Sequence, residues 1–140
     1  MTLPPVVANL ITARRIERVP ADRGSALVRL TRAEEKLDAA HKIAAIDLEV
    51  AYVTGYDATR IAVTAHMLAA GYRVRAIAGS HEAVGIYAEA VIASPSAGEF
   101  QRMRRRRNKS EYEDISIGRA DLTADLAHAA AIIEAVRIVL

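Results

Sequence analysis

Small and apolar residues recur along much of this chain at alternating steps of four and three. From about residue 22 to 46 the repeating positions are Ala26, Leu30, Ala33, Leu37, Ala40 and Ala44. That spacing puts all six on one face of a helix. From about 48 to 71 they are Ala51, Gly55, Ala58, Ala62, Ala65 and Ala69. Every one is small, so the predicted seam lets a neighbouring helix backbone come close. Asp47 reads as the N-cap of this helix and Gly71 as its glycine stop. A third long helix, about 121–140, carries Leu122, Leu126, Ala129, Ile133, Val136 and Leu140 at the same steps.

Between these lie shorter pieces. Residues 4–19 read as an amphipathic opening segment that Pro20 interrupts, with Pro4 or Pro5 suited to a first helical position. Residues 1–20 are thus set apart as an N-terminal segment, either a helix lying against the bundle or an arm for a partner. Residues 72–80 read as a loop, and Ser80 as the cap of a helix over about 81–93. Ser94-Pro95 breaks that helix. Ser96 to Glu99 has the spacing of a capping box ahead of Phe100. A helix over 100–112 follows, then a turn at 115–118. The pattern predicts an all-α fold: an up-and-down antiparallel bundle of four to five helices, occupying residues 21–140.

Composition agrees with close helix packing. Of the 140 residues 52% are hydrophobic, but aromatics reach only 4%, with no Trp and one Phe. Alanine favours helices, whereas strands favour β-branched and aromatic residues. The absence of cysteine excludes disulfides and thiolate metal sites. No apolar run approaches the roughly 20 residues a spanning helix needs. The first residues lack the charged start of a secretory signal, so a cytoplasmic protein without membrane contact is expected.

A net charge of +2 says little about partners, but its distribution says more. Arg102, Arg104, Arg105, Arg106, Arg107 and Lys109 fill six of the eight positions from 102 to 109. Phe100, Met103 and Arg107 are spaced three and four apart, which brings Arg107 into line with the apolar face. A cation there is paired, or it looks into a cleft or interface. Arg104, Asn108, Glu111 and Tyr112 fall on adjoining strips. Guanidinium groups suit phosphate, and asparagine suits a base or sugar. The plainer alternative is a solvated cationic face with Arg107 paired to Glu111.

The histidines are scattered. His81 opens a helix after Gly79-Ser80, where backbone N–H groups favour anions and depress an imidazole's pKa; it is either a proton carrier or a simple cap. His66 reads as a core or interface residue beside the small-residue seam. His41 and His128 stand alone on amphipathic helices. Tyr52, Tyr56, Asp57 and Arg60 form a polar set at helical spacing: Tyr56 either packs, the default, or lines the same cleft as Arg107, and Asp57 with Arg60 reads as an ion pair on the helix surface or lining a cleft. No pair has a spacing such as His-Glu-x-x-His, so neither a metal nor another cofactor is expected.

The run Arg107-Asn108-Lys109-Ser110-Glu111-Tyr112, on the last-but-one helix of a small bundle, resembles the signature of the HEPN superfamily. There an Arg, often followed by Asn, precedes a His after four to six residues. The chain is similar to a small actinobacterial-type branch at Ala51-Tyr52, from Gly55 to Arg60, at Gly71-Tyr72-Arg73, at Gly79-Ser80-His81 and from Met103 to Tyr112. The likeness runs in order from about Leu30 to Tyr112. It implies a homodimer in which paired Arg motifs face one cleft. It implies a metal-independent ribonuclease or a protein derived from one, in a toxin–antitoxin or defence setting, in some cases beside a nucleotidyltransferase.

Tyr112 stands where many ribonucleases of that superfamily have His. Histidine suits the removal of a 2′-hydroxyl proton, whereas tyrosine, with a reference pKa of about 10, is a poor base at neutral pH. The resemblance therefore nominates Arg107 and Asn108 on the phosphate, with Tyr112 or His81 handling protons. Arg102, Arg104, Arg105, Arg106 and Lys109 would hold RNA. Two other readings remain: a non-catalytic module binding RNA or a nucleotide, and a dimeric antitoxin or scaffold in which Arg107 is an interface ion pair.

Overall fold

The computed structural model describes residues 3–140, so Met1 and Thr2 of the opening segment lie outside the described residues. The described residues are 75% helical, with six helices and one two-stranded sheet. The long helices are α2 (Arg23–Ile43), α3 (Leu48–Ala70) and α6 (Arg119–Val139). Shorter ones are α1 (Pro5–Thr12), α4 (Ser80–Val91) and α5 (Phe100–Tyr112). The strands β1 (Ile16–Arg18) and β2 (Tyr72–Val74) pair antiparallel, Ile16 opposite Val74 and Arg18 opposite Tyr72.

The all-α architecture follows the repeating small and apolar positions. Ala51, Gly55, Ala58, Ala62 and Ala65 of α3 are all buried, and α3 packs against both α2 and α6. At Gly55 the missing side chain makes room for a neighbour's side chain: a Cβ there would lie 2.5 Å from the Leu126 methyl of α6. Asp47 caps α3 by accepting from the Val50 N–H at 3.0 Å. Gly71 ends the helix at φ +93°, a left-handed conformation that glycine adopts without strain. Leu122, Leu126, Ala129, Ile133 and Val136 of α6 are buried as their spacing requires.

Four details depart from the sequence pattern. Ser80 is the first residue of α4 and not its cap; Gly79, at φ +81°, stands at the cap position. The opening segment is a helix, α1, packed on its own chain, as one of its two readings has it, but it continues into the strand β1. Val7, Leu10 and Ile16 are buried in the main core, and α1 packs on α4. The 72–80 segment contains β2 rather than loop alone. Residues 95–99 form a single 3-10 turn, capped by the Ser94 hydroxyl instead of a Ser96–Glu99 box. Among the described residues, no helix is long and apolar enough to cross a membrane.

Candidate functional site

Helix α5 forms over the residues its pattern indicates, Phe100–Tyr112, and buries Phe100 and Met103. Successive residues of a helix turn by about 100°, so a run of cations on it cannot share one environment. Each cation's role depends on what the neighbouring helices bring to its side.

On one side they bring a carboxylate. Asp125 of α6 is only 2% exposed, yet it lies in a fully bonded setting. Tyr52 of α3 donates its hydroxyl to Asp125 Oδ2 at 2.7 Å. Arg102 grips both carboxylate oxygens, at 3.1 and 2.6 Å, and Arg106 Nη1 adds a contact at 3.0 Å. Arg102 also donates to Glu99 at 2.7 Å, and Arg106 lies 3.6 Å from Asp121. Burial alone would raise the Asp125 carboxyl, but the hydrogen bonds from Arg102 and Tyr52 overcome it and hold the group below the usual carboxylate range. The Tyr52 hydroxyl is pushed up, first by burial and then by its bond to Asp125. These cations are committed to tying α5 to α3 and α6.

On another side of α5 the setting is looser and more positive. The Arg107 guanidinium lies over the ring of Tyr56, 5.7 Å from its centroid, one helical turn after Tyr52 on α3. Such a contact contributes about 0.5–2 kcal/mol, depending on desolvation. Arg107 Nη1 reaches Asn108 Oδ1 at 3.3 Å and Glu111 at 3.4 Å, so the alternative ion pair does form. Its Nε is buried with no hydrogen-bond partner among the described residues, and so is that of Arg60. Arg60 lies 3.8 Å from Asp57, which also faces Lys36 at 4.0 Å. Arg104 is held by Gln101 at 2.9 Å and stands 4.0 Å from Glu82.

His81, at the start of α4, joins this group. Its Nδ1 is 3.4 Å from the Tyr56 hydroxyl, and the two rings are 6.0 Å apart. Its pKa is lowered by partial burial and then by the Arg60 and Arg107 charges, so the ring is neutral at pH 7. Burial pushes Tyr56 up to about 12 against the pull of Arg60, Arg107 and Arg104, so it keeps its proton. The start of α4 is fixed from the opposite end of the sequence. Arg15, just before β1, donates to the Gly79 carbonyl at 3.1 Å and to Glu82 at 2.8 Å. The N-terminal segment therefore helps set where His81 stands.

The structure sorts the residues nominated from the sequence. Arg107, Asn108 and His81 come into one cluster. Tyr112 does not: it is 78% exposed at the far end of α5 and lines a groove with Arg105, Asn108, Lys109 and Glu113. Arg102 and Arg106 face Asp125, whereas Arg104 joins the Arg107 side. Arg105 and Lys109 are exposed and make no ion pair among the described residues.

Sequence reasoning missed Asp125 and the part Arg60 plays. Asp125 had a signal: it falls between Leu122 and Ala129 on the apolar stripe of α6, where a carboxylate must be paired. His66 and Tyr87 are hydrogen-bonded at 2.8 Å, and His128 meets Ser96 at 2.9 Å. His41 is exposed. Among the described residues, no three His, Asp or Glu side chains gather closely enough to hold a metal. A cavity beside Arg29, Met67 and Tyr72 of about 50 Å³ is too small for a nucleotide. Comparison with family models, with curated proteins and with solved structures gives no match to this chain.

Proposed function

We propose that the chain acts on RNA, with the phosphodiester held by Arg107, Arg60 and Arg104 and cleaved without a metal ion. One observation carries this: a neutral histidine and three arginines gather around Tyr56, two of the arginines with a buried Nε that has no hydrogen-bond partner among the described residues. In the tautomer whose Nδ1–H donates to the Tyr56 oxygen, His81 Nε2 has a free lone pair. It takes the proton of a ribose 2′-hydroxyl as that oxygen attacks phosphorus. The bond from phosphorus to the 5′-oxygen breaks, solvent protonates the departing oxygen, and a 2′,3′-cyclic phosphate remains. The guanidinium groups stabilise the charge gathering on the phosphoryl oxygens. The imidazolium, disfavoured beside three cations, returns its proton to water. Homodimeric assembly and a toxin–antitoxin setting with a nucleotidyltransferase belong to this proposal through the resemblance to HEPN proteins.

A second reading is favoured by the contact of Arg107 with Glu111 and Asn108, which already occupies one guanidinium nitrogen. Here the cluster binds an RNA or nucleotide phosphate without turnover. Labelled RNA incubated in chelator with wild type, Arg107→Ala and His81→Ala separates the two. Cleavage by wild type alone, with cyclic-phosphate ends, supports catalysis. Salt-sensitive binding without cleavage supports the second reading. Neither cleavage nor binding by a folded protein rejects both.

A further inference from the structure

The outward ridge of α5 presents three side chains that the Arg107 cluster does not use. Arg105, Lys109 and Tyr112 follow one another at steps of four and three, which is one helical face. Four of the six cations in the run are tied to carboxylates or to Gln101, but Arg105 and Lys109 are exposed and unpaired among the described residues. Shallow grooves flank the ridge. One is lined by Arg105, Asn108, Lys109, Tyr112 and Glu113, the other by Arg102, Arg105, Arg106, Lys109 and Ile115. Tyr112 leaves 78% of its surface to solvent, whereas Tyr56 and Tyr52 are buried.

We infer that this ridge is a docking track for single-stranded nucleic acid, with phosphates on Arg105 and Lys109 and one base stacked on the Tyr112 ring. It deepens the RNA proposal by naming the strand form, and rests on that proposal only for calling the strand RNA. Two free cations followed by an exposed aromatic ring are the parts such a track requires: charge for the backbone and a flat face for a base. The seven helical steps from Arg105 to Tyr112 span about 10 Å at 1.5 Å each. Stacked nucleotides repeat at about 3.4 Å, so the ridge spans about three. A duplex hides its base faces and cannot offer one to Tyr112. Glu113 and Asp114, beyond the ring, repel phosphate and set a direction: backbone toward Arg105, base over Tyr112.

The test uses a 2′-O-methyl RNA 12-mer, which has no 2′-hydroxyl to attack and so measures binding alone. Against wild type, Tyr112→Ala should weaken binding about tenfold, while Tyr112→Phe keeps it, because the ring face and not the hydroxyl acts. The same 12-mer without its bases should bind both proteins alike. Arg105→Ala with Lys109→Ala should flatten the slope of log affinity against log salt by about 1.4. Equal binding by wild type and Tyr112→Ala would overturn the inference. So would equal or tighter binding of a duplex, or of a polyglutamate of the same charge, which would make the ridge a general anion or protein surface. Cleavage is scored separately on ordinary RNA with Arg107→Ala. An inert wild type that still shows the Tyr112-dependent binding would sink the catalytic proposal and leave this one standing.

Discussion

Two tyrosines one turn apart on α3, Tyr52 and Tyr56, each meet arginines from α5, and the two meetings have opposite characters. At Tyr52 the arginines find a buried carboxylate at 2.6–3.1 Å and are consumed by it. At Tyr56 the nearest carboxylates stand 3.4–4.0 Å from Arg107, Arg60 and Arg104, and the group facing them is a neutral histidine. Arginines of α5 thus build an anchor in one place and, in the other, join Arg60 of α3 in a cluster with longer ion pairs and no buried acid. What separates them is whether an acid is buried within hydrogen-bonding reach. A count of arginines on α5 cannot make that distinction.

The comparison breaks most sharply at Asp125. Asp125→Ala leaves Arg102, Arg106 and the Tyr52 hydroxyl without their shared partner and should cost about 4 kcal/mol, read as a shifted denaturant midpoint. Arg107→Ala should change stability by about 1 kcal/mol or less while lowering RNA cleavage about a hundredfold. If Arg107→Ala proved as destabilising as Asp125→Ala, the two settings would not differ as described.

Acid should separate them next. The lowered His81 pKa means its folded form resists protonation, so its contribution to stability is present above about pH 6.5 and fades as pH falls through its folded value. His66, lowered by burial, adds to the same window. The Asp125 contribution is complete above about pH 3.9 and is lost only below that, as pH falls through its lowered pKa. His81→Gln should remove part of the upper step and spare the lower. Cleavage should follow the upper one, with its acid limb below about pH 6.5; a rate still climbing toward pH 10 would point to a tyrosine base. The smallest expected effect is at Arg15. Its loss should loosen the start of α4 and slow cleavage a few-fold (about 1 kcal/mol), with little change in melting.

The helices were legible because a repeat of four and three is a local signal. The hairpin was not: strands of three residues carry no periodicity, and Arg18 finds Tyr72 only through the fold. The basic segment was legible as a segment, but its internal division was not. Position along the chain favours Tyr112, five residues from Arg107, whereas the tyrosine against Arg107 is Tyr56, from another helix, which the sequence offers only as an alternative to plain packing. Partners from α3, α4 and α6 decide which cation is free, and no spacing within α5 records them.

The Asp125 contacts also set the phase of α5 about its own axis. Arg102 and Arg106, one turn apart, both engage the same carboxylate, so the helix is keyed like a shaft and cannot rotate freely. That azimuth is what aims Arg107 at Tyr56 and turns Arg105 and Lys109 outward. A single residue inserted between Arg106 and Arg107 would advance everything after it by about 100°. The keyed turn would stay seated while Arg107 swung off the ring of Tyr56, leaving the composition of the segment almost unchanged and its directional meaning gone.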